Sequence, residues 1–214
     1  MEDTYRHKGM RRRLVETLSK KGIKDEKVLE AIAALPRHFF LDKAFEDHAY
    51  QDKAFPIGSD QTISQPYTVA HMTELLEVSK RQKVLEVGTG SGYQACILAY
   101  LGARVYTIER QKELYELAKT FLPAIGYPQI RLFYRDGYKG MPEYAPFERI
   151  IVTAGAPYVP DALREQLSIG GVMVIPVGEE EQTMYRIRRI AANLYEDEPL
   201  GPFRFVPFVE GLNE

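Results

Sequence analysis

Val84-Leu85-Glu86-Val87-Gly88-Thr89-Gly90-Ser91-Gly92-Tyr93 is the stretch whose reading decides the fold. An apolar run with β-branched residues stops at a carboxylate and enters three glycines at alternate positions, after which Gln94 to Leu101 reads as a helix. The expected unit is strand, tight turn, helix. Glycine lets a ligand approach the backbone closely, and N–H groups exposed at the helix start form a polar cradle. The spacing argues against one ligand class. A dinucleotide fingerprint puts its third glycine at position 93, where this chain has Tyr93, and the third glycine here is Gly92. The plainer alternative is a turn that needs glycine only for close packing.

A length of 214 residues suits one α/β domain spanning 1–214 and is short for two domains with a linker. The formal charge of −2 is no polyelectrolyte signature, so no nucleic-acid partner is expected. Arg11-Arg12-Arg13 and Arg186, Arg188, Arg189 read as a solvated helix face and an exposed strand face. The single cysteine, Cys96, can form no internal disulfide and fits a reducing compartment. The chain starts with mixed charged residues, and no apolar run approaches a membrane span, so the expectation is a cytoplasmic monomer with no membrane partner. His38, His48 and His71 are too dispersed to suggest a metal site, and no metal is expected.

Working outward, residues 10–21 and a segment capped by Asp25 and ended by Pro36 are two helices. Arg37 to Ser59 reads as a packed loop region. In Gln61-Thr62-Ile63-Ser64-Gln65-Pro66-Tyr67, either Ser64 or Gln65 caps a helix that starts at Pro66 and runs to Val78. Beyond the glycines, strands (104–108, 130–134, 149–153, 172–177) alternate with helices (112–121, 161–167), the pattern of a parallel sheet with helices on both faces. Tyr185–Ile190 and Phe203–Val209 are strand-like with no helix between them, which predicts an antiparallel addition at one edge. The expected fold is a doubly wound, mostly parallel, Rossmann-like α/β sheet with N-terminal helices.

A carboxylate two residues before Gly88-Thr89-Gly90-Ser91-Gly92 resembles motif I of S-adenosylmethionine-dependent methyltransferases. In an open parallel sheet a ligand lies beyond the carboxyl ends of the strands, and three predicted strands end there in acids: Glu86, Glu109 and Asp136. Glu109, at the end of the second strand, is placed to accept both ribose hydroxyls. Asp136 is placed to reach the adenine amino group, with Gly137 allowing the base close, and Glu86 to sit near the cationic methionine end. A lone acid after a strand is commonly a turn cap; three in register with a glycine loop argue for a ligand.

Three stretches then converge on one family. Gln61 to Tyr67, Val84 to Tyr93, and Ile150-Ile151-Val152-Thr153-Ala154-Gly155-Ala156 with Gly170-Gly171 and Pro176-Val177-Gly178 resemble the protein-L-isoaspartate O-methyltransferases. Leu35-Pro36-Arg37-His38-Phe39 and Arg204-Phe205-Val206-Pro207-Phe208-Val209 agree, and the likeness spans about residues 10 to 212. It implies methyl transfer from S-adenosyl-L-methionine, leaving S-adenosyl-L-homocysteine, to the free α-carboxyl of isoaspartyl residues in damaged proteins. It also implies cofactor contacts from Gln61, Thr62, Glu86, Gly88, Thr89, Gly90, Ser91, Gly92, Glu109, Arg110, Asp136 and Gly137. Ser64 matches the family's active-site serine. Val209 stands where some members carry a hydroxyl, so it is left outside the expected site.

The substrate's α-carboxyl, with an ordinary pKa of about 3.3 to 3.7, is already an anion at neutral pH and needs no general base. Ser64 would then orient the substrate, cap a helix, or do both. Rival readings weaken on residues. A nucleic-acid amino methylase would carry Asn or Asp before Pro-Pro-aromatic, whereas the chain has Ala156-Pro157-Tyr158. A non-catalytic relative would be expected to lack Ser64, Glu109 or Asp136, and Tyr93 argues against a nicotinamide enzyme.

Overall fold

The strand that opens the quoted stretch lies in the middle of a seven-stranded sheet in the computed structural model, which describes residues 2–213. The chain begins with helices α1 (Tyr5–Lys20) and α2 (Glu26–Ala34). A hairpin of β1 (Phe55–Gly58) and β2 (Gln61–Ile63) then leads into α3 (Pro66–Leu76). There follow β3 (Lys83–Val87), α4 (Tyr93–Tyr100), β4 (Arg104–Glu109), α5 (Lys112–Ala124), β5 (Arg131–Tyr134) and β6 (Phe147–Val152). The rest is α6 (Asp161–Gln166), β7 (Leu167–Val177), β8 (Gln182–Ala191) and β9 (Leu194–Phe203). The strand order is β5-β4-β3-β6-β7-β8-β9, parallel through β7 and antiparallel at β8 and β9. Because the chain runs outward in one direction from β3 to β5 and in the other from β6, the order reverses between β3 and β6. That is where such sheets leave a crevice beyond their carboxyl ends.

The two faces are covered unequally. One packs Val84, Val105, Ile151 and Val174 against α1 through α5. The other packs Leu85, Ile108, Ile150 and Met173 against α6, two 3-10 turns and Phe208. Asp25 caps α2 as expected, its carboxylate accepting the Lys27 and Val28 N–H groups. The first helix starts earlier than expected, because Thr4 supplies a capping box with His7.

Two expectations fail. The 37–59 region is not a featureless loop: it holds two 3-10 helices (Arg37–Phe40 and Lys43–His48) and β1. Their short, irregular apolar spacing carries no helical or strand period. The last strand is also not Phe203–Val209 but β9, an acidic, proline-containing edge strand whose polarity hides it from a hydrophobic pattern. Pro207 offers no N–H to continue a ladder. Residues 204–213 instead cross the strand ends: Gly155 N–H donates to the Val206 carbonyl and Phe208 N–H to the Gly155 carbonyl, both at 2.8 Å. Farther on, Lys112 N–H donates to the Asn213 carbonyl at 3.0 Å.

Candidate active site

A cleft opens at the crevice. It brings together Gln61, Thr62 and Ser64 from β2 and the turn before α3 with Gly88, Thr89, Gly90 and Ser91. Glu109 and Arg110 at the end of β4 and Gly137 after β5 join them. Three expected residues do not line it: Glu86, Gly92 and Asp136.

Glu86 lies on the face of β3 packed by α4 and is fully buried. Thr107 Oγ1 donates to Glu86 Oε2 at 2.5 Å and is itself 2.6 Å from Thr89 Oγ1, so a hydroxyl chain links the carboxyl to the glycine loop. Glu86 Oε1 has no partner. Burial, with the charge of Glu109 adding to it, pushes the Glu86 pKa up to about 8.

Gly92 caps α4 at φ +82°, and a Cβ there would sit 2.7 Å from Leu122 Cδ2, so its task is to let α4 start against α5. Asp136 Oδ1 accepts the Tyr138 N–H at 3.0 Å and caps a 3-10 turn. The glycine loop does not hold a free N–H cradle either. Gly88 and Thr89 donate to the Ile108 carbonyl at 2.9 and 3.1 Å, and Gly92 to the Thr89 carbonyl at 2.8 Å. Alternating glycines imply close approach, but where each N–H is spent depends on how the loop folds back on β4.

Glu109 Oε2 accepts the Gly90 N–H, and Oε1 accepts those of Arg110 and Gln111, all at 2.8 Å. Burial raises its pKa, and the three donors oppose the rise. A carboxylate has about four acceptor positions, so one remains open, on Oε2. A two-oxygen grip on a diol therefore requires a backbone donor to yield.

Residues outside the expected set also line the cleft: Gln111, Thr153, Ala154, and Val206 to Val209. Thr153 Oγ1 donates to the Gly88 carbonyl at 2.7 Å and holds the loop open from β6. Thr153 and Ala154 lie in one of the stretches that carried the resemblance, so their signal was present without a role attached. The strap of residues 206–209 closes the far side, with Tyr138 OH donating to the Phe208 carbonyl at 3.2 Å. Ser64 does not cap α3. The cap position is Gln65, without a side-chain bond, and Asp52 Oδ1 accepts the Tyr67 N–H at 2.7 Å instead.

His38 is less isolated than its sequence position implies. It stacks on His7 with ring centroids 3.9 Å apart, and Asp3 joins them in the one group with metal-ligand chemistry found among the described residues. The ring nitrogens already face Thr4, Glu46, Tyr50 and the Glu2 carbonyl, and Arg11 takes both Asp3 oxygens. The group lies apart from the cleft.

The protein-L-isoaspartate(D-aspartate) O-methyltransferase family model matches residues 9–213. The chain belongs to that family. It is 61% identical to the protein-L-isoaspartate O-methyltransferase of Christiangramia forsetii, with all of both chains covered. To the Dictyoglomus thermophilum enzyme of the same name it is 50% identical, over 96% of this chain and 93% of that one. A solved protein-L-isoaspartate O-methyltransferase superposes with a TM-score of 0.86 at 27% identity, covering 94% of this chain and 67% of the other. A Plasmodium falciparum chain described as a β-aspartate methyltransferase, in complex with S-adenosyl-L-homocysteine, shares the fold at a TM-score of 0.81 and 23% identity, over 93% and 98% of the two chains. The family match includes both the β2 turn with Ser64 and the 206–209 strap.

Proposed function

We infer that this chain transfers a methyl group from S-adenosylmethionine to the free α-carboxyl of L-isoaspartyl residues in damaged proteins and peptides, which then relax through a succinimide toward aspartate. Its catalytic group is Ser64, acting by orientation. The observation that carries the reading is the position of Ser64. Together with Thr62, Thr153 and Val206 it lines both the cleft and an adjoining open groove. That groove is walled by Tyr67, His71 and Phe203, whose rings stack at 5.6 and 5.7 Å, and by Phe205. Aromatic rings along an open channel suit an extended peptide.

The cleft suits the cofactor on the chain's own chemistry. Val87, Ile108 and Phe208 offer apolar walls for a base, Glu109 Oε2 an open acceptor for a sugar hydroxyl, and Gly90 a backbone without a side chain in the way. S-adenosylmethionine, when bound, supplies a methyl group activated by its sulfonium. Gln61, Thr62, Thr89, Ser91, Arg110 and Gly137 border the same space. Glu86, Gly92 and Asp136 act behind it, through the hydroxyl chain, helix packing and a turn cap.

The Ser64 hydroxyl donates to a carboxylate oxygen or the neighbouring peptide and fixes its approach. No residue has to remove a proton, and joining an anion to a cation is favoured by a dry, aligned cleft. The whole chain works as one methyltransferase domain, a cytoplasmic monomer; the single buried thiol suits a reducing compartment, and no described helix is long and apolar enough to cross a membrane. Methyl incorporation into a peptide with one isoaspartyl bond, beside the same peptide with normal aspartate, tests the reading. Labelling of the isoaspartyl peptide alone is expected, and equal labelling of both overturns it.

A further inference from the structure

Arg37 is a fully buried cation, the largest of the fully buried side chains. Its Nε donates to the Ala49 carbonyl at 3.1 Å, and its Nη2 to the carbonyls of Ser64 at 2.8 Å and Lys53 at 3.4 Å. The guanidinium carbon lies 5.1 Å from the centre of the Tyr93 ring. Burial lowers its pKa to about 10, which leaves it charged at neutral pH. Enclosing a charge costs desolvation that three carbonyls and the nearby Asp52 offset in part, and Nη1 is left without a partner. What the fork provides is geometry: it joins the Ala49 segment to the open end of the β1–β2 hairpin, at Lys53 and Ser64.

The bonded carbonyls lie on the acceptor side of the site, and the Tyr93 ring on the glycine-loop side. Ala49 and Lys53 flank Asp52, the residue that caps α3 three positions after Ser64, so the Ser64 turn is held at its own carbonyl and again at Tyr67. Tyr93 opens α4 directly after the glycine loop. We propose that Arg37 is a positioning residue for methyl transfer: through the Ser64 carbonyl and the Tyr93 ring it ties the acceptor-side turn to the glycine-loop helix and sets the separation of the reacting groups. This rests on the assignment of Ser64 above.

The test is Arg37→Lys in the full chain, which keeps the charge but loses the planar fork. Isoaspartyl-peptide kinetics, calorimetric affinity for S-adenosylhomocysteine and thermal unfolding are measured on it, on Ser64→Ala and on the double variant. A positioning role is expected to lower kcat by about tenfold to a hundredfold with S-adenosylhomocysteine affinity within about threefold, and to add little further loss once Ser64 is Ala. A folded Arg37→Lys with kcat within twofold of the parent, or losses that multiply with those of Ser64→Ala, overturns the proposal. Normal turnover by Ser64→Ala overturns the Ser64 assignment instead. If Arg37→Lys does not fold, the wild-type side-chain nitrogen resonances of Arg37 decide the matter. Shifts that track isoaspartyl-peptide titration into the S-adenosylhomocysteine complex support the link, and unmoved resonances refute it.

Discussion

One side of the cleft is made from the carboxyl ends of β3 and β4 with the loops that follow them; the other is made from the 61–65 turn and the 206–209 strap, which are far apart in the chain. On the first side the two strand ends hold one another: Gly88 and Thr89 donate to the Ile108 carbonyl, and Gly90, Arg110 and Gln111 donate to the Glu109 carboxylate. On the second, groups distant in the chain do the holding: Arg37 grips the Ser64 carbonyl, Asp52 the Tyr67 N–H, and the Gly155 backbone the strap at Val206 and Phe208. The difference teaches that damage to the first side should register as lost cofactor affinity, and damage to the second as lost turnover.

The largest effect is expected at Gly90, whose φ is +51° and where a Cβ would sit 3.3 Å from Ile57 Cδ1. Gly90→Val places a β-branched side chain in a left-handed conformation and fills the cofactor's approach, so binding should fall below detection, on the order of a hundredfold or more, in a chain that still folds. Circular dichroism with a calorimetric titration checks both halves of that statement; a folded variant with parental affinity breaks the comparison.

Ser64→Ala sharpens it from the other side. Turnover is expected to drop by about one to three orders of magnitude with S-adenosylmethionine affinity nearly unchanged, from the loss of one orienting hydrogen bond and its alignment. Because Asp52 takes the capping role at α3, the melting temperature should barely move, and a large thermal shift with intact turnover would make Ser64 a structural residue.

Glu109→Ala removes an acceptor whose other positions hold the loop together. Affinity for S-adenosylmethionine should weaken by about tenfold to a hundredfold, the equivalent of roughly 1.5 to 3 kcal/mol for a lost charge-assisted bond, with kcat at saturation less affected. Unchanged affinity in a folded protein takes Glu109 out of the site.

The smallest change is expected at Glu86. Glu86→Gln resembles the neutral acid, so affinity at neutral pH should stay within about threefold of the parent; a carboxylate facing the methionine end would require a larger loss. The pH dependence has a definite sign. With a folded pKa of about 8 above an unfolded value of about 4.3, the stability contributed by protonated Glu86 is full below the lower value and is lost as pH rises through the upper one. Urea midpoints for the parent and Glu86→Gln at pH 5 and pH 9 should show the parent losing more over that interval, and parallel changes would mean that Glu86 is ionised throughout.

Much of the first side was legible because its signals are local. The glycine spacing, the acid at the end of the second strand and the alternation of strand and helix each lie within a short window, and β3, β4 and the loop between them follow from it. Glu86 shows the limit. The residue was visible and so was its place at a strand end, but which face of the sheet it occupies follows from the register with Thr107 and Ile151. A one-residue change in register would reverse that.

By itself the sequence determined the fold class, the family and the glycine turn, because periodicity, glycine placement and contiguous motifs act over a few residues. Only the tertiary structure decided that Asp52 rather than Ser64 caps α3, that the segment after Phe203 is a strap rather than a strand, and that Arg37 lies behind Ser64. In each case the deciding partner is distant in the chain. A buried donor or acceptor takes whatever group packing delivers to it, and no local pattern encodes that choice.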